Sequence, residues 1–200
     1  ALAAVNQSLC RVDSDNVECF SGVLKTRPSA GTVFSTTYYY SASTTLYHVS
    51  QIHTEAPSFD DVGFALPFAV GDWVAVDEST HGETIVGDGQ GSTAYLIGVS
   101  ATQQIIAVTL SSDGVPTSYA TVQGVGATGP FNTGWAIYDE KEEATRVVFS
   151  GQDGVYELPA FSTSASSVGF IRVGDAIALD VYDGLSCPRM DHLSDVFESH

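Results

Sequence analysis

Gly71-Asp72-Trp73-Val74-Ala75-Val76-Asp77-Glu78 and Thr133-Gly134-Trp135-Ala136-Ile137-Tyr138-Asp139-Glu140 are two copies of one pattern, with tryptophans 62 residues apart and an Asp-Glu pair four and five positions after each. Repetition constrains architecture before any single element does, because a repeated unit must bury its apolar face on its neighbours. A second signature, Val33-Phe34-Ser35 and then Leu46-Tyr47-His48-Val49, is echoed by Val148-Phe149-Ser150 and then Val155-Tyr156-Glu157-Leu158. Looser copies are Leu9-Cys10-Arg11-Val12 and Ile105-Ile106-Ala107-Val108. The four short-strand copies begin at 9, 46, 105 and 155, at intervals of 37, 59 and 50 residues.

Helical periodicity is almost absent, and short runs of Val, Ile, Thr, Tyr and Phe bounded by Gly, Asp and Ser recur in its place. They predict strands over 32–40, 45–52, 73–77, 94–99, 104–110, 117–123, 135–138, 146–150, 155–158, 168–173 and 176–181. The one candidate helix, 191–198, is short and acidic and needs a neighbour to hold it. Intervals near fifty residues match a propeller blade, whose period is roughly 40 to 50. Residues 134–174 make one predicted blade, with strands from Trp135, Arg146, Val155 and Val168 and a tight turn at Asp153-Gly154. Asp88-Gly89, Asp113-Gly114 and Asp183-Gly184 are further turn signals of that kind. The expected fold is all-β: a propeller-like array of about four four-stranded units, with a two-sheet β-sandwich as the alternative. Residues 1–190 are expected to form a single β-repeat domain, and 191–200 an acidic tail.

Charge narrows the partners. The chain has 200 residues, 24 of them acidic and 7 basic, for a net charge of -17. So few cations cannot neutralise phosphates, which argues against nucleic acid and anionic membranes. No apolar run reaches the ~18 residues of a spanning helix, so no membrane insertion is expected. Copies of the chain itself, other surface proteins and glycans remain as partners. The sequence starts at Ala1 rather than Met, which fits a secreted mature chain or a piece of a longer precursor, and Asn6-Gln7-Ser8 is a glycosylation sequon at Asn6. Cys10 and Cys19 flank the turn formers Asp13-Ser14-Asp15-Asn16. If Ser14-Asp15 is a two-residue hairpin turn, positions summing to 29 face one another and the two thiols become cross-strand neighbours that can bridge. The rivals are a bond from either one to Cys187, and three reduced buried thiols. An extracellular or cell-surface location is the resulting expectation.

Gly134-Trp135, Arg146-Val147-Val148-Phe149-Ser150, Gly154-Val155-Tyr156-Glu157-Leu158 and Asp183-Gly184-Leu185-Ser186-Cys187 occur in succession within residues 131–187. This succession resembles the last part of a family of secreted propeller-like β-repeat domains of unknown function, found in microbial surface proteins. Gly31-Thr32-Val33-Phe34 with Leu46-Tyr47-His48-Val49, and Tyr95-Leu96-Ile97-Gly98-Val99 through Ser112-Asp113-Gly114, resemble its earlier repeats. The Tyr38-Tyr39-Tyr40 run, the Asp139 to Glu143 insertion and the acidic tail depart from it. The resemblance implies a secreted repeat fold and carries over no catalytic residue.

The sequence holds no Gly-x-Ser-x-Gly elbow, no phosphate-binding Gly-x-x-x-x-Gly-Lys and no His-Glu-x-x-His zinc motif, and its five histidines are scattered. No catalytic, cofactor-binding or metal residue is therefore assigned, no cofactor is expected, and an enzyme is not. Asp13-x-Asp15-Asn16 opens like a calcium loop but continues with Val17 and lacks the glycine and glutamate that would complete one, so it reads as a solvated turn. Asp77-Glu78 and Asp139-Glu140 could line a common surface as glycan-active carboxylates; Asp as an ordinary strand-ending turn former is the better reading. Trp73 and Trp135 fit blade core better than sugar stacking. Three consecutive tyrosines, Tyr38, Tyr39 and Tyr40, cannot all face one side of a strand, so at least one is offered outward or to a neighbouring blade as an interface. Leu193, Val196 and Phe197 would form one small apolar stripe if the tail is helical, a second candidate interface. Together these features predict an extracellular structural or adhesive module, a self-assembling filament subunit joined head to tail through a terminal segment. A glycan-binding or glycan-cleaving propeller domain is the alternative.

Overall fold

The structure is a computed structural model that describes residues 2–5, 8–12, 17–21, 24–54, 56–59, 62–77, 85–86, 94–131, 133–139 and 144–175. Asn6, the turn at 13–16, Glu78, Glu140, Cys187, the predicted strand 176–181 and the whole tail with Leu193, Val196 and Phe197 lie outside the described residues. Among the described residues there is no helix, and seventeen strands form four sheets, none closed into a barrel.

The N-terminal sheet runs β1 (Leu2–Val5), β2 (Ser8–Val12), β3 (Val17–Ser21). The second holds β4 (Ala30–Phe34), β5 (Thr37–Ala42), β6 (Thr45–Ser50) and β7 (Ser58–Phe59), with β8 (Phe64–Ala65) also on β6. In the third, β9 (Asp72–Asp77), β10 (Ala94–Val99), β11 (Gln104–Leu110) and β12 (Pro116–Val125) follow one another, and β16 (Ser167–Gly169) adds in parallel beyond β12. The fourth is β13 (Thr133–Asp139), β14 (Ala144–Ser150), β15 (Gly154–Leu158), β17 (Ile171–Asp175). The sequence repeats map onto this plan. The tryptophan copies fall on β9 and β13, each the first strand of its sheet, and the copies beginning at 46, 105 and 155 fall on β6, β11 and β15, each a third strand, whereas the copy beginning at 9 falls on β2, a second strand and not an equivalent position.

Side-chain alternation shows how the sheets stack. On β11, Ile105 and Ala107 join Val147, Phe149, Tyr156 and Leu158 of the fourth sheet, whereas Ile106 and Val108 join Tyr39 and Leu46 of the second. On β5, Tyr39 goes to that second cluster, while Tyr38 and Tyr40 pack with Leu9 of the N-terminal sheet. The second and third sheets are therefore covered on both faces, which is why Ile105-Ile106-Ala107-Val108 is continuously apolar rather than alternating. Each neighbouring pair of sheets packs as two layers, an all-β arrangement of four unclosed sheets that fits the two-sheet β-sandwich alternative as well as a propeller-like array.

Three expectations needed correction. The predicted strand 32–40 is two strands, β4 and β5, turning at Ser35-Thr36, with Ser35 at φ 53°. Ser43 (φ 55°) likewise turns β5 into β6 without a glycine, so neither turn carried the usual signature. Val33-Phe34 consequently lies on a first strand and Val148-Phe149 on a second, so that echo joined non-equivalent strands. The predicted strand 168–173 also divides: β16 belongs to the third sheet and β17 to the fourth, and buried Phe170 between them donates its N–H to the Val125 carbonyl at 2.8 Å.

Candidate functional site

The side chains with chemistry to offer converge where the sheets meet. The first strands β4, β9 and β13 lie side by side, β9 against each of the others. Asp72, second residue of the Gly71-Asp72-Trp73 copy, is buried, and its Oδ2 accepts the backbone N–H of Gly134 at 2.5 Å. Gly134 is the aligned position of the second copy, so this bond joins the repeats at equivalent places. A Cβ on Gly134 would sit 2.6 Å from Val74 Cγ2 and 2.7 Å from the Phe149 ring, so a side chain there would force Val74 or Phe149 to shift. Next along β9, the Trp73 indole is fully buried and donates Nε1–H to Ser41 Oγ of the second sheet at 2.9 Å. Opposite Trp73 on β10 stands Gly98, where a Cβ would lie 2.9 Å from the indole ring. A buried carboxylate that accepts a backbone N–H holds position strongly, because low dielectric raises the cost of losing the bond.

The tyrosine run extends the same pattern. All three rings are buried within the chain, Tyr39 on one face of β5 and Tyr38 and Tyr40 on the other. Tyr39 donates its hydroxyl to the Gly114 carbonyl at 2.6 Å, reaching the turn between β11 and β12, where Gly114 sits at φ 75°. Burial pushes the Tyr39 hydroxyl up to about 12, opposed by its hydrogen bond with Thr37. Burial also raises Tyr40, whose oxygen accepts the Lys25 N–H at 3.0 Å. Tyr38, Tyr40, Tyr47 and Phe59 make a ladder of stacked rings with centroids 5.7, 5.4 and 6.3 Å apart.

In the N-terminal sheet, every β2–β3 partner pair sums to 29, from Ser8↔Ser21 to Val12↔Val17, and Cys10 and Cys19 are directly opposed and disulfide-bonded, with Cα atoms 4.0 Å apart. Asp77 ends β9 half-buried and Asp139 ends β13, so both repeat aspartates close a first strand. Trp135 is half-buried. His48 is half-buried, its ring 6.0 Å from Tyr39, and His53 lies beyond the end of β6 rather than on it. The Ser/Thr-rich stretch 162–167 is largely a polar loop in which Ser162 and Ser164 hydroxyls bond each other at 2.8 Å.

A second polar group was not anticipated. At the β14–β15 turn, Asp153 accepts the Tyr156 hydroxyl at 2.5 Å and the Thr128 hydroxyl at 3.2 Å, and Arg172 of β17 donates to the Asp153 carbonyl at 2.8 Å. The Tyr156 bond, foremost, holds the Asp153 carboxyl below the usual range and raises Tyr156 in turn. The signal for Asp72 was available: in the aligned copies a charged residue stands where the other has a glycine, immediately before the tryptophan of an otherwise apolar run. Among the described residues no group of three or more His, Cys, Asp and Glu is arranged to hold a metal ion. Compared with protein-family models the chain matches none, and no curated protein matches it significantly.

Proposed function

We propose that this chain is an extracellular structural or adhesive module that works as a self-assembling subunit of a surface filament. What carries the reading is Asp72: the buried carboxylate most suited to chemistry is already bonded to the neighbouring repeat at Gly134. Trp73, Tyr39 and Tyr40 likewise bury their polar tips against other parts of the chain. The Cys10–Cys19 disulfide suits an oxidising compartment. Its partners are copies of itself or other surface proteins. Half-buried Trp135, at the repeat position of buried Trp73, favours a second reading as a glycan-binding or glycan-cleaving domain. A glycan array combined with a turnover assay separates the two. The structural reading predicts no saturable sugar binding, no bond cleavage, and filaments of the secreted protein by electron microscopy; specific binding or cleavage overturns it.

A further inference from the structure

The third sheet ends on an edge with unusual properties. Gly124 donates its N–H to Gln103 of the β10–β11 turn at 2.8 Å, and the β11–β12 register places Val122, Ala120 and Ser118 opposite Ile105, Ala107 and Thr109. Antiparallel pairing alternates, so the even-numbered residues of β12 spend their backbone groups on β11 and the odd-numbered ones point theirs away. The Val125 carbonyl, bonded by Phe170 N–H on the far side, obeys this parity. Among the described residues β16 covers that far side only over Gln123–Val125. Below the bulge, Tyr119 and Thr121 therefore present two N–H and two C=O groups that no described strand pairs, along an edge roughly 13 Å long over 118–121 at ~3.3 Å per residue.

Natural edges are blunted by charges, prolines, bulges or a cover. The edge of β17 carries Arg172 and Asp175. β12 has Pro116 and a bulge at Thr109/Leu110 only at its start, and no charge follows. Between Asp88 and Asp139 the sole charged side chain is Asp113, in a chain of net charge -17. Among the described residues Tyr119, 46% exposed, is one of the few large apolar side chains at the surface, its ring meeting Phe64 of β8 edge-on with centroids 6.1 Å apart. Two such acidic chains repel everywhere except across a strip like this one, and Thr117-Ser118-Tyr119-Ala120-Thr121-Val122 is rich in strand-forming residues whose threonines and tyrosine make favourable cross-strand pairs.

We propose that the free edge of β12 pairs antiparallel with the same edge of a second copy of this chain. It rests on the reading of the chain as an assembling subunit and names one of its interfaces. The contact is isologous and closes as a dimer, so a filament needs a second, different contact. Thr121→Pro removes only an outward N–H, which an edge strand tolerates, and Tyr119→Lys puts a charge on the strip.

The test is sedimentation velocity of the full chain and both variants over a concentration series at low and high salt, with thermal unfolding and backbone amide exchange as controls. The expected result is a wild-type dimer that tightens with salt as the repulsion is screened, loss of the dimer in Thr121→Pro, and a Kd raised about tenfold or more by Tyr119→Lys. Unfolding should be unchanged in Thr121→Pro and at most slightly lowered in Tyr119→Lys, which loses the Phe64 contact, and the Thr121 amide should be protected only in the dimer. A monomeric wild type, a dimer indifferent to both variants, or Thr121 protection in the monomer overturns it. Filaments that persist in Thr121→Pro remove this interface and leave the structural reading standing. A Thr121→Pro-sensitive dimer that specifically binds or cleaves a glycan does the reverse.

Discussion

Asp72 and Gly134, 62 residues apart in the chain, meet at equivalent positions of two repeats, where the carboxylate of one accepts the backbone N–H of the other at 2.5 Å in a buried setting. The bond ties the third sheet to the fourth at their first strands, and Trp73 beside it ties the third to the second through Ser41. Asp72→Ala leaves the Gly134 N–H unpaired in the interior and should destabilise by about 2 to 3 kcal/mol. Gly134→Ala drives a Cβ into Val74 and Phe149 and should cost about 1 to 3 kcal/mol. Denaturant unfolding checks both, and a change within error for either refutes the stitch as a determinant of stability.

Ser41→Ala deprives the buried Trp73 indole of its acceptor and should cost about 1 to 3 kcal/mol. The two tryptophans also differ in environment, Trp73 fully buried and Trp135 half-buried. Acrylamide should quench Trp135 and spare Trp73, giving two-component quenching that becomes single in Trp135→Phe.

Tyr39 contributes to the alkaline side, beside Tyr40 and Tyr156, whose hydroxyls are also raised. Its hydroxyl is raised from 10.0 to about 12 by burial, so the folded state holds a proton that the unfolded chain gives up earlier. That contribution is whole below pH 10 and is lost as pH rises from 10 to about 12, a loss of about 2 kcal/mol. Tyr39→Phe loses the Gly114 bond, costs about 1 kcal/mol at neutral pH, and should flatten the alkaline fall measured by unfolding across that range.

The Cys10–Cys19 bridge closes a short loop, nine residues apart, and its removal by the double serine variant should cost about 2 to 3 kcal/mol. Leu9, fully buried against the tyrosine face, couples the hairpin to the second sheet. Amide exchange should accelerate first in β2 and β3, with β10 and β11 still protected; a uniform loss would show the coupling to be wrong.

Much of this plan was legible in the residues. The Cys10–Cys19 pairing needed only parity about a turn, and the third-strand repeats at 46, 105 and 155 needed only recurring short apolar runs, 59 and 50 residues apart. Asp113-Gly114 signalled its turn because a glycine permits φ of 75° there. Ser35 and Ser43 adopt a similar conformation with a side chain, held by the hairpins on either side; the turn at Ser43 fell between two expected strands, but the one at Ser35 was hidden, so one strand was read where there are two.

What the sequence determined by itself is what short-range stereochemistry and side-chain period can express: an all-β chain, its repeat, and the hairpin register that pairs two cysteines. What only the tertiary structure decided is which face each residue meets. Tyr38, Tyr39 and Tyr40 are all buried because β5 has a sheet on both sides, and Val168 and Val173 part company because Phe170 leaves one sheet for the next. Asp72 is stable as a buried acceptor only because a backbone 62 residues away supplies the donor. Such contacts depend on non-local distances, which residue type and spacing do not encode, and the free edge of β12 became visible only when the strands on either side had been placed.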